Sequence, residues 1–436
     1  MVKPCLYGPI PSARGKKTIM DPDFRAQIDE IGEADLIIGI PTYNSVRTIG
    51  HVVRAVTAGL TRDFPKAEAV LVNSDGGSAD GTQEEVKRAR NEHVKMLLTS
   101  HPIHPIHRIV APYHGMPGKE NAFRTFFEAT ELLKARACVV VDPGLKSITP
   151  DWVEPLLKPV YGGDFDYVAP IYARHKFDGS LTHGIVYPLT RALYGKRLRQ
   201  LIGGDSGFSG KLAKCYLTKN IWEADVARFG MDIWMATVAI GEGYAVCQSF
   251  LGPKVYDTQG PESDLGSMFT QVVSSVYSLM EEYHPLWEKV QATEPVPTFG
   301  SPDGFRAETV QVNVKRMIDI FRLAMRDLTE IWRKVLAPQT LRSLESLARS
   351  SGEAFSLPRD LWVRVVYDFA IAYHRGSVHR DHLLKSMIPL YLGWVASFVK
   401  ENQEGSAEDV EEGIEALCKV FEEMKPYLIE HWMEGR

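Results

Sequence analysis

Four short apolar runs, each closed by a turn and followed by helical periodicity, leave this chain few folds to choose from. They are Asp35-Leu36-Ile37-Ile38-Gly39-Ile40, Ala69-Val70-Leu71-Val72, Arg108-Ile109-Val110-Ala111 and Cys138-Val139-Val140-Val141. An apolar run of this length that ends in a turn reads as a strand buried on both faces. Between the first two, Ile49, Val52, Val53, Val56 and Leu60 recur at helical spacing. Further helices are predicted behind Glu84-Glu85, from about Glu120 to Lys134, and over Asp151 to Val160. Strand and helix in this rhythm predict an α/β fold, a mainly parallel Rossmann-like sheet with helices on both faces. Ligands of such sheets bind at the carboxyl ends of the strands. The turns that matter are therefore Pro41-Thr42-Tyr43-Asn44, the Asn73–Thr82 stretch, Pro117-Gly118-Lys119 and Asp142-Pro143-Gly144.

The rest of the chain suggests a second, helical domain. Further strands are predicted at Asp166–Pro170 and Tyr244–Gln248, and a long amphipathic helix follows from Ser263. After the Pro/Gly-rich Glu294–Pro302 stretch, segments near 305–336, 358–374, 380–400 and 407–431 read as helices. The expected organisation is an N-terminal arm over 1–32, a sheet domain over 33–285 and an α-helical C-terminal domain over 286–436. A net charge of −5 over 436 residues excludes the basic signature of a nucleic-acid partner. Five scattered cysteines without metal-type spacing read as reduced thiols. No apolar run reaches the ~18 residues of a transmembrane helix, so a cytoplasmic protein is expected. The helical tail offers a surface for a homodimer.

Each strand-end residue has its own chemistry. Asp75 can accept from a base N–H, Lys119 supplies a point charge for phosphate, and Asp142 is a hard oxygen ligand for Mg²⁺ or Mn²⁺. The ordered set is far more specific than any one of these residues. Ile40-Pro41-Thr42-Tyr43-Asn44, then Asp75-Gly76-Gly77-Ser78-Ala79-Asp80-Gly81-Thr82, Pro117-Gly118-Lys119, and Asp142 ahead of Thr149-Pro150-Asp151-Trp152, resembles a GT-A glycosyltransferase of the family 2 type. With Met231-Asp232-Ile233-Trp234 and the helical tail, the chain looks most like the retaining group that makes glucosylglycerate, glucosyl-3-phosphoglycerate or mannosylglycerate in compatible-solute biosynthesis.

The resemblance implies a hexosyltransferase that takes a UDP- or GDP-hexose as donor and a small acidic acceptor of the glycerate or 3-phosphoglycerate type. Its donor-site positions fall on Pro41, Thr42, Asn44, Asp75, Lys119 and Asp142. Its acceptor positions fall on Arg174, Thr182, Gly204 and Asp205, and its catalytic positions on Asp232 and Asp142. A divalent cation, Mg²⁺ or Mn²⁺, belongs to the family. Two positions depart from the pattern: the family's Asp-x-Asp is Asp142-Pro143-Gly144 here, and the family's metal-binding His falls at Tyr256. Three readings stay open. The enzyme is metal-independent, with Lys119, Lys146 or Lys254 neutralising the leaving diphosphate. A metal is held by Asp142, Asp257 and the donor. Or the chain is a catalytically impaired homologue that binds nucleotide or sugar in a regulatory role. Three further features each have a functional and a plain reading. His101, His104 and His107 read either as a metal site or as a Pro-rich loop. The basic residues of 172–215 read as an acceptor cradle or as a solvated face, and Trp152 and Trp234 as packing rather than sugar stacking.

Overall fold

The computed structural model describes residues 21–101, 118–219, 230–256, 265–301 and 312–434. They form two compact units. The first draws on Met1–Ala173, Leu198–Asp264 and Val296–Phe305, the second on Arg174–Arg197, Leu265–Pro295 and Arg306–Arg436.

In the first unit the described residues build one sheet from β1 (Leu36–Thr42), β2 (Ala69–Asp75), β3 (Lys95–Ser100), β4 (Ala137–Val140), β5 (Tyr167–Ala173), β6 (Ser206–Ser209), β7 (Val246–Pro253) and β8 (Thr298–Phe299). The spatial order is β3-β2-β1-β4-β6-β5-β7-β8. Every pairing is parallel except those of β6, which runs antiparallel to β4 and β5. The mainly parallel α/β sheet predicted from the sequence is thus present. Its third strand is Lys95–Ser100, a stretch the apolar pattern does not single out. The predicted strand Arg108–Ala111 lies outside the described residues, as do His104, His107, Pro117 and Asp257.

Helices cover both faces. Leu36, Ile38 and Ile40 of β1 alternate into a cluster with Ile49, Val52, Val53 and Val56 of α2 (Val46–Asp63) and Leu156 and Leu157 of α5 (Val153–Tyr161). Gly39 faces the other way. A Cβ placed there would stand 2.6 Å from the Phe126 ring of α4 (Lys119–Leu132), so the missing side chain lets that helix lie against the middle of the sheet. The segment expected as an N-terminal arm contains α1 (Pro22–Ile31), which starts at an Asp21 cap and buries Phe24 and Ile28. Trp152 and Trp234 are buried, in keeping with packing roles. The four described cysteines are buried and form no disulfide among the described residues; burial pushes the Cys138 and Cys247 thiols up to about 12, which makes them inert.

The described residues of the second unit are largely helical. The stripe of Phe269, Val272, Val273, Val276, Tyr277 and Met280 along Leu265–Glu282 is core, as its spacing predicts. The unit also takes in 174–197, which a linear boundary near 285 leaves with the sheet. Charge explains this attachment. Arg191 is 1% exposed and donates to Glu415 and Glu422 at 2.6 Å each, while Lys425 donates to the carbonyls of Ala192 and Val290. Arg380–Glu401 is long and apolar enough to cross a membrane, but most of it is buried within this unit.

Candidate active site

The site begins where β1 and β2 end side by side, with Thr42 opposite Asp75 in the parallel register. Asp75 is buried, and its carboxylate organises its own turn. Oδ1 accepts from Thr42 Oγ1 at 2.8 Å and Ser78 Oγ at 2.6 Å, and Oδ2 accepts from the Gly77 and Ser78 amides at 3.0 and 2.8 Å. Any incoming base N–H would share an oxygen that already accepts twice. Asn44, at φ 46°, joins the two turns: its amide donates to Ser78 Oγ and its side-chain oxygen accepts from the Ala79 amide. Ser45 is the N-cap residue of α2 but makes no side-chain cap bond, and the neighbouring turn supplies the acceptors instead. The Ser45 amide donates to Thr82 Oγ1 and the Val46 amide to Asp80 Oδ2. Burial raises the Asp80 carboxyl, but donors from Thr82 and Val46 outweigh it and hold the group below its ordinary value. Pro41 lies within β1, facing Ser74 across the pair.

Asp142 stands two residues beyond β4, which runs level with β1 through Gly39 opposite Val140. Its backbone N–H donates to Asp205 Oδ1 at 2.8 Å, and its Oδ1 accepts from the Gly144 amide at 2.8 Å. The residue keeps some solvent access but is densely surrounded. Burial pushes its carboxyl up, the Lys254 ammonium opposes this, the neighbouring Asp205 carboxylate adds to it, and Gly144 and Lys119 oppose it more weakly. Gly204, at φ +78°, leaves room for the Asp142 side chain: a Cβ there would lie 2.7 Å from Asp142 Oδ2.

Asp232 sits in the first turn of α8 (Met231–Gly241) and ties two segments together. Its Oδ1 accepts from Lys119 Nζ at 3.2 Å and its Oδ2 from the Gly204 amide at 2.9 Å. Lys119 and Asp232 are 25% and 17% exposed, so this pair faces the open side of the site. The structure thus brings Lys119, Asp142, Gly204, Asp205 and Asp232 into one connected cluster. The Thr42–Asp75 turn lies at the same sheet edge.

The sequence gives no sign of how Asp205 is held. Lys254 Nζ donates to Asp205 Oδ2 at 2.7 Å, to Tyr172 Oη at 3.1 Å and to the Gly203 carbonyl, and the Tyr172 hydroxyl donates to Asp205 Oδ2. The Lys254 and Asp205 side chains are 1% and 0% exposed. The Tyr172 and Tyr256 rings flank the ammonium at 4.2 and 4.9 Å. Only the lysine's own sequence position could have drawn attention to it, because its partners lie 49, 51 and 82 residues away.

Arg174 and Thr182 belong to the second unit; Thr182 is buried and opens a π-helical turn, Thr182–Val186. Much of the basic segment has internal partners there. Lys176 donates to the carbonyls of Asn402, Gln403 and Gly405, Lys196 pairs with Glu294, and Arg191 is engaged as described above. His101 is buried with its Nδ1 2.9 Å from Ser74 Oγ, a partner within the sheet edge.

The donor set suits a divalent cation poorly. Among the described residues no three His, Cys, Asp or Glu side chains converge as a metal cage. Asp205, the carboxylate nearest Asp142 along the hydrogen bonds, is taken up by Lys254, Tyr172 and the Asp142 amide. Gly144 brings no ligand, and a Cβ there would meet Tyr256 Cδ1 at 3.7 Å, a carbon rather than a donor atom.

No family model matches the chain, and no curated protein matches it. Among solved structures it is similar to glucosyl-3-phosphoglycerate synthase from Mycobacterium tuberculosis in complex with Mn²⁺, UDP and phosphoglyceric acid, at 20% identity and a TM-score of 0.41, covering 61% of this chain and 84% of that one. The same enzyme with Mg²⁺ and UDP gives 20% identity, a TM-score of 0.41 and coverages of 61% and 84%. A protein described only as mycobacterial gives 18%, 0.42, 62% and 80%.

Proposed function

We propose that the first unit is a GT-A hexosyltransferase that moves a sugar from a nucleoside diphosphate to a small acidic acceptor, with retention of configuration, in the cytoplasm. The observation that carries this reading is the convergence of Lys119, Asp142, Gly204, Asp205 and Asp232 at the edge where the Thr42–Asp75 turn also ends. The motif resemblance assigns Lys119 and Asp142 to the donor, Asp232 and Asp142 to catalysis, and Gly204 and Asp205 to the acceptor. The nucleoside is taken by the Pro41–Asn44 and Asp75–Ser78 turns, whose mutual hydrogen bonds make a preformed shelf. Lys119 faces the diphosphate and stabilises the charge that develops as it leaves. Asp232 has one oxygen on Lys119 and the other on the Gly204 amide, an arrangement suited to orienting a ligand and balancing positive charge on the sugar rather than to nucleophilic attack. UDP- and GDP-hexoses are the donor candidates; glycerate and 3-phosphoglycerate are the acceptor candidates, with Arg174 and Thr182 proposed for the acceptor on the resemblance alone. A divalent cation, if used, would draw on Asp142 and the donor phosphates, and on Asp257.

The test is binding, then turnover. UDP, GDP and their glucose and mannose conjugates are titrated while the melting of the protein is followed, and nucleotide release is then measured with each acceptor. The expected result is a raised melting temperature with one nucleotide family and acceptor-dependent release. If no nucleotide shifts melting, the donor-site reading falls. Binding without transfer to any acceptor favours the non-catalytic homologue.

A further inference from the structure

We propose that the Lys254 ammonium is a cation built into the site: it fills an oxygen-lined seat and, through Asp205, positions Asp142 and the 203–205 turn. The seat consists of Asp205 Oδ2, Tyr172 Oη and the Gly203 carbonyl, three oxygens for the three N–H bonds of one ammonium. Two tyrosine rings close its sides at 4.2 and 4.9 Å. Nothing on the surface requires this arrangement, since the lysine is 1% exposed and its partner carboxylate 0%. Burying such a pair is expensive unless the remaining lone pairs and protons are satisfied, and here they are. The free end of the arrangement points to function. The other oxygen of Asp205 accepts the Asp142 amide at 2.8 Å, and the turn that carries Gly203 also carries Gly204, which contacts Asp142 and donates to Asp232. Lys254 therefore does not reach the ligand. All three of its hydrogen bonds point inward, and it acts as a positioning residue that holds two carboxylates and a backbone amide in register. A bound metal ion would hold such a group of oxygens by the same electrostatic means; a tethered ammonium needs no ion from solution.

This inference rests on the proposed donor site for its binding readout, so the experiment has a second readout that does not. In Lys254→Ala the seat loses its cation and three methylenes, and n-propylamine has the size and charge to fill the space. The expected result is a lowered melting temperature for the variant, raised by n-propylamine or by Mn²⁺, with no effect of either on the wild type. Where a nucleoside diphosphate binds, its affinity for the wild type is the same in EDTA and in Mn²⁺. The variant binds about 10–100-fold more weakly, the usual loss when an outer supporting group is removed, and the amine restores it. If Lys254→Ala does not fold, Lys254→Met with Asp205→Asn removes both charges together and keeps an amide oxygen for the Asp142 N–H; it is expected to fold and to bind weakly. The proposal is overturned if amine and metal leave the variant's melting unchanged, if EDTA weakens wild-type binding about tenfold or more, or if the double variant binds like the wild type. If no nucleotide binds the wild type, the functional reading fails and the melting data alone decide the seat.

Discussion

Gly204→Ala tests the contact on which the geometry of Asp142 depends. The backbone there is at φ +78°, and an L-residue in that region costs about 1–2 kcal/mol. The added Cβ would also stand 2.7 Å from Asp142 Oδ2 and 3.4 Å from its Cβ, so the aspartate or the turn must give way, an overpacking cost of about 1–3 kcal/mol. Gly252→Ala is the matched control: its φ is +85°, and a Cβ there meets nothing within 4 Å, so only the backbone term applies. The difference between the two variants isolates the Asp142 contact. At about 2–4 °C per kcal/mol for a domain of 150–250 residues, Gly204→Ala should melt about 2–12 °C below Gly252→Ala in calorimetry. Its nucleotide affinity should fall while that of Gly252→Ala holds. If the two variants melt together and bind alike, the Gly204–Asp142 contact does not shape the site, and the reasoning from it is refuted.

Three other variants probe separate parts. Asp142→Asn keeps an acceptor for the Gly144 amide and removes a carboxylate that burial holds above its ordinary pKa. Ionising the wild-type group therefore costs folded-state stability as pH rises past the ordinary carboxylate value, so the variant's melting temperature should gain on the wild type from about pH 4 towards neutrality, while transfer is lost; a gap independent of pH would contradict this. Asp232→Asn keeps an acceptor for the Gly204 amide but releases Lys119 from its carboxylate partner; turnover should fall about 10²–10³-fold with nucleotide affinity kept or tightened, and a calorimetric titration showing weaker binding would count against the assignment. Asp80→Ala removes the acceptor that caps α2 from the next turn, at about 1 kcal/mol. Because the folded Asp80 pKa is lowered, that contribution is present above the unfolded value of about 4 and vanishes as pH falls through the folded one, so wild type and variant should converge in acid melts.

What the sequence makes visible is the periodic part. β1, β2, β4, β5 and β7 and the helices behind them are close to where apolar runs and helical spacing put them. β3 and β6 escape for different reasons. β3 is an edge strand among the described residues; its Lys95 and Ser100 are exposed and only Leu97 is buried, so it carries no clean apolar signal. β6 is Ser-Gly-Phe-Ser, with no β-branched residue; it is buried because Gly207 lets the Leu156 carbonyl come within 2.2 Å of where a Cβ would be. The helix Pro338–Arg349 likewise falls between the segments that periodicity marks. At the site, Asp75, Lys119, Asp142 and Asp232 can be read because each sits at a strand end or helix start. The Lys254–Tyr172–Asp205 seat cannot, since it is made by chain segments that meet only in three dimensions. The basic segment misleads in the opposite way. Arg191 looks like a cradle for an acid in one dimension and is a buried strut once Glu415 and Glu422 are beside it.

The close approach at Gly39 links the middle of the core to the candidate site. Phe126, which rests on Gly39, lies seven residues along α4 from Lys119, two helical turns or about 10 Å up the same face. Phe123 stands between them, with the Lys119 ammonium 5.3 Å from its ring. Helix α4 is thus a stiff rod with its fulcrum at a missing side chain and a charge at its tip. A single methyl group at position 39 would tilt the rod and move that charge without touching any residue of the site. A substitution in the core would therefore be felt at Lys119, about 10 Å away along the helix.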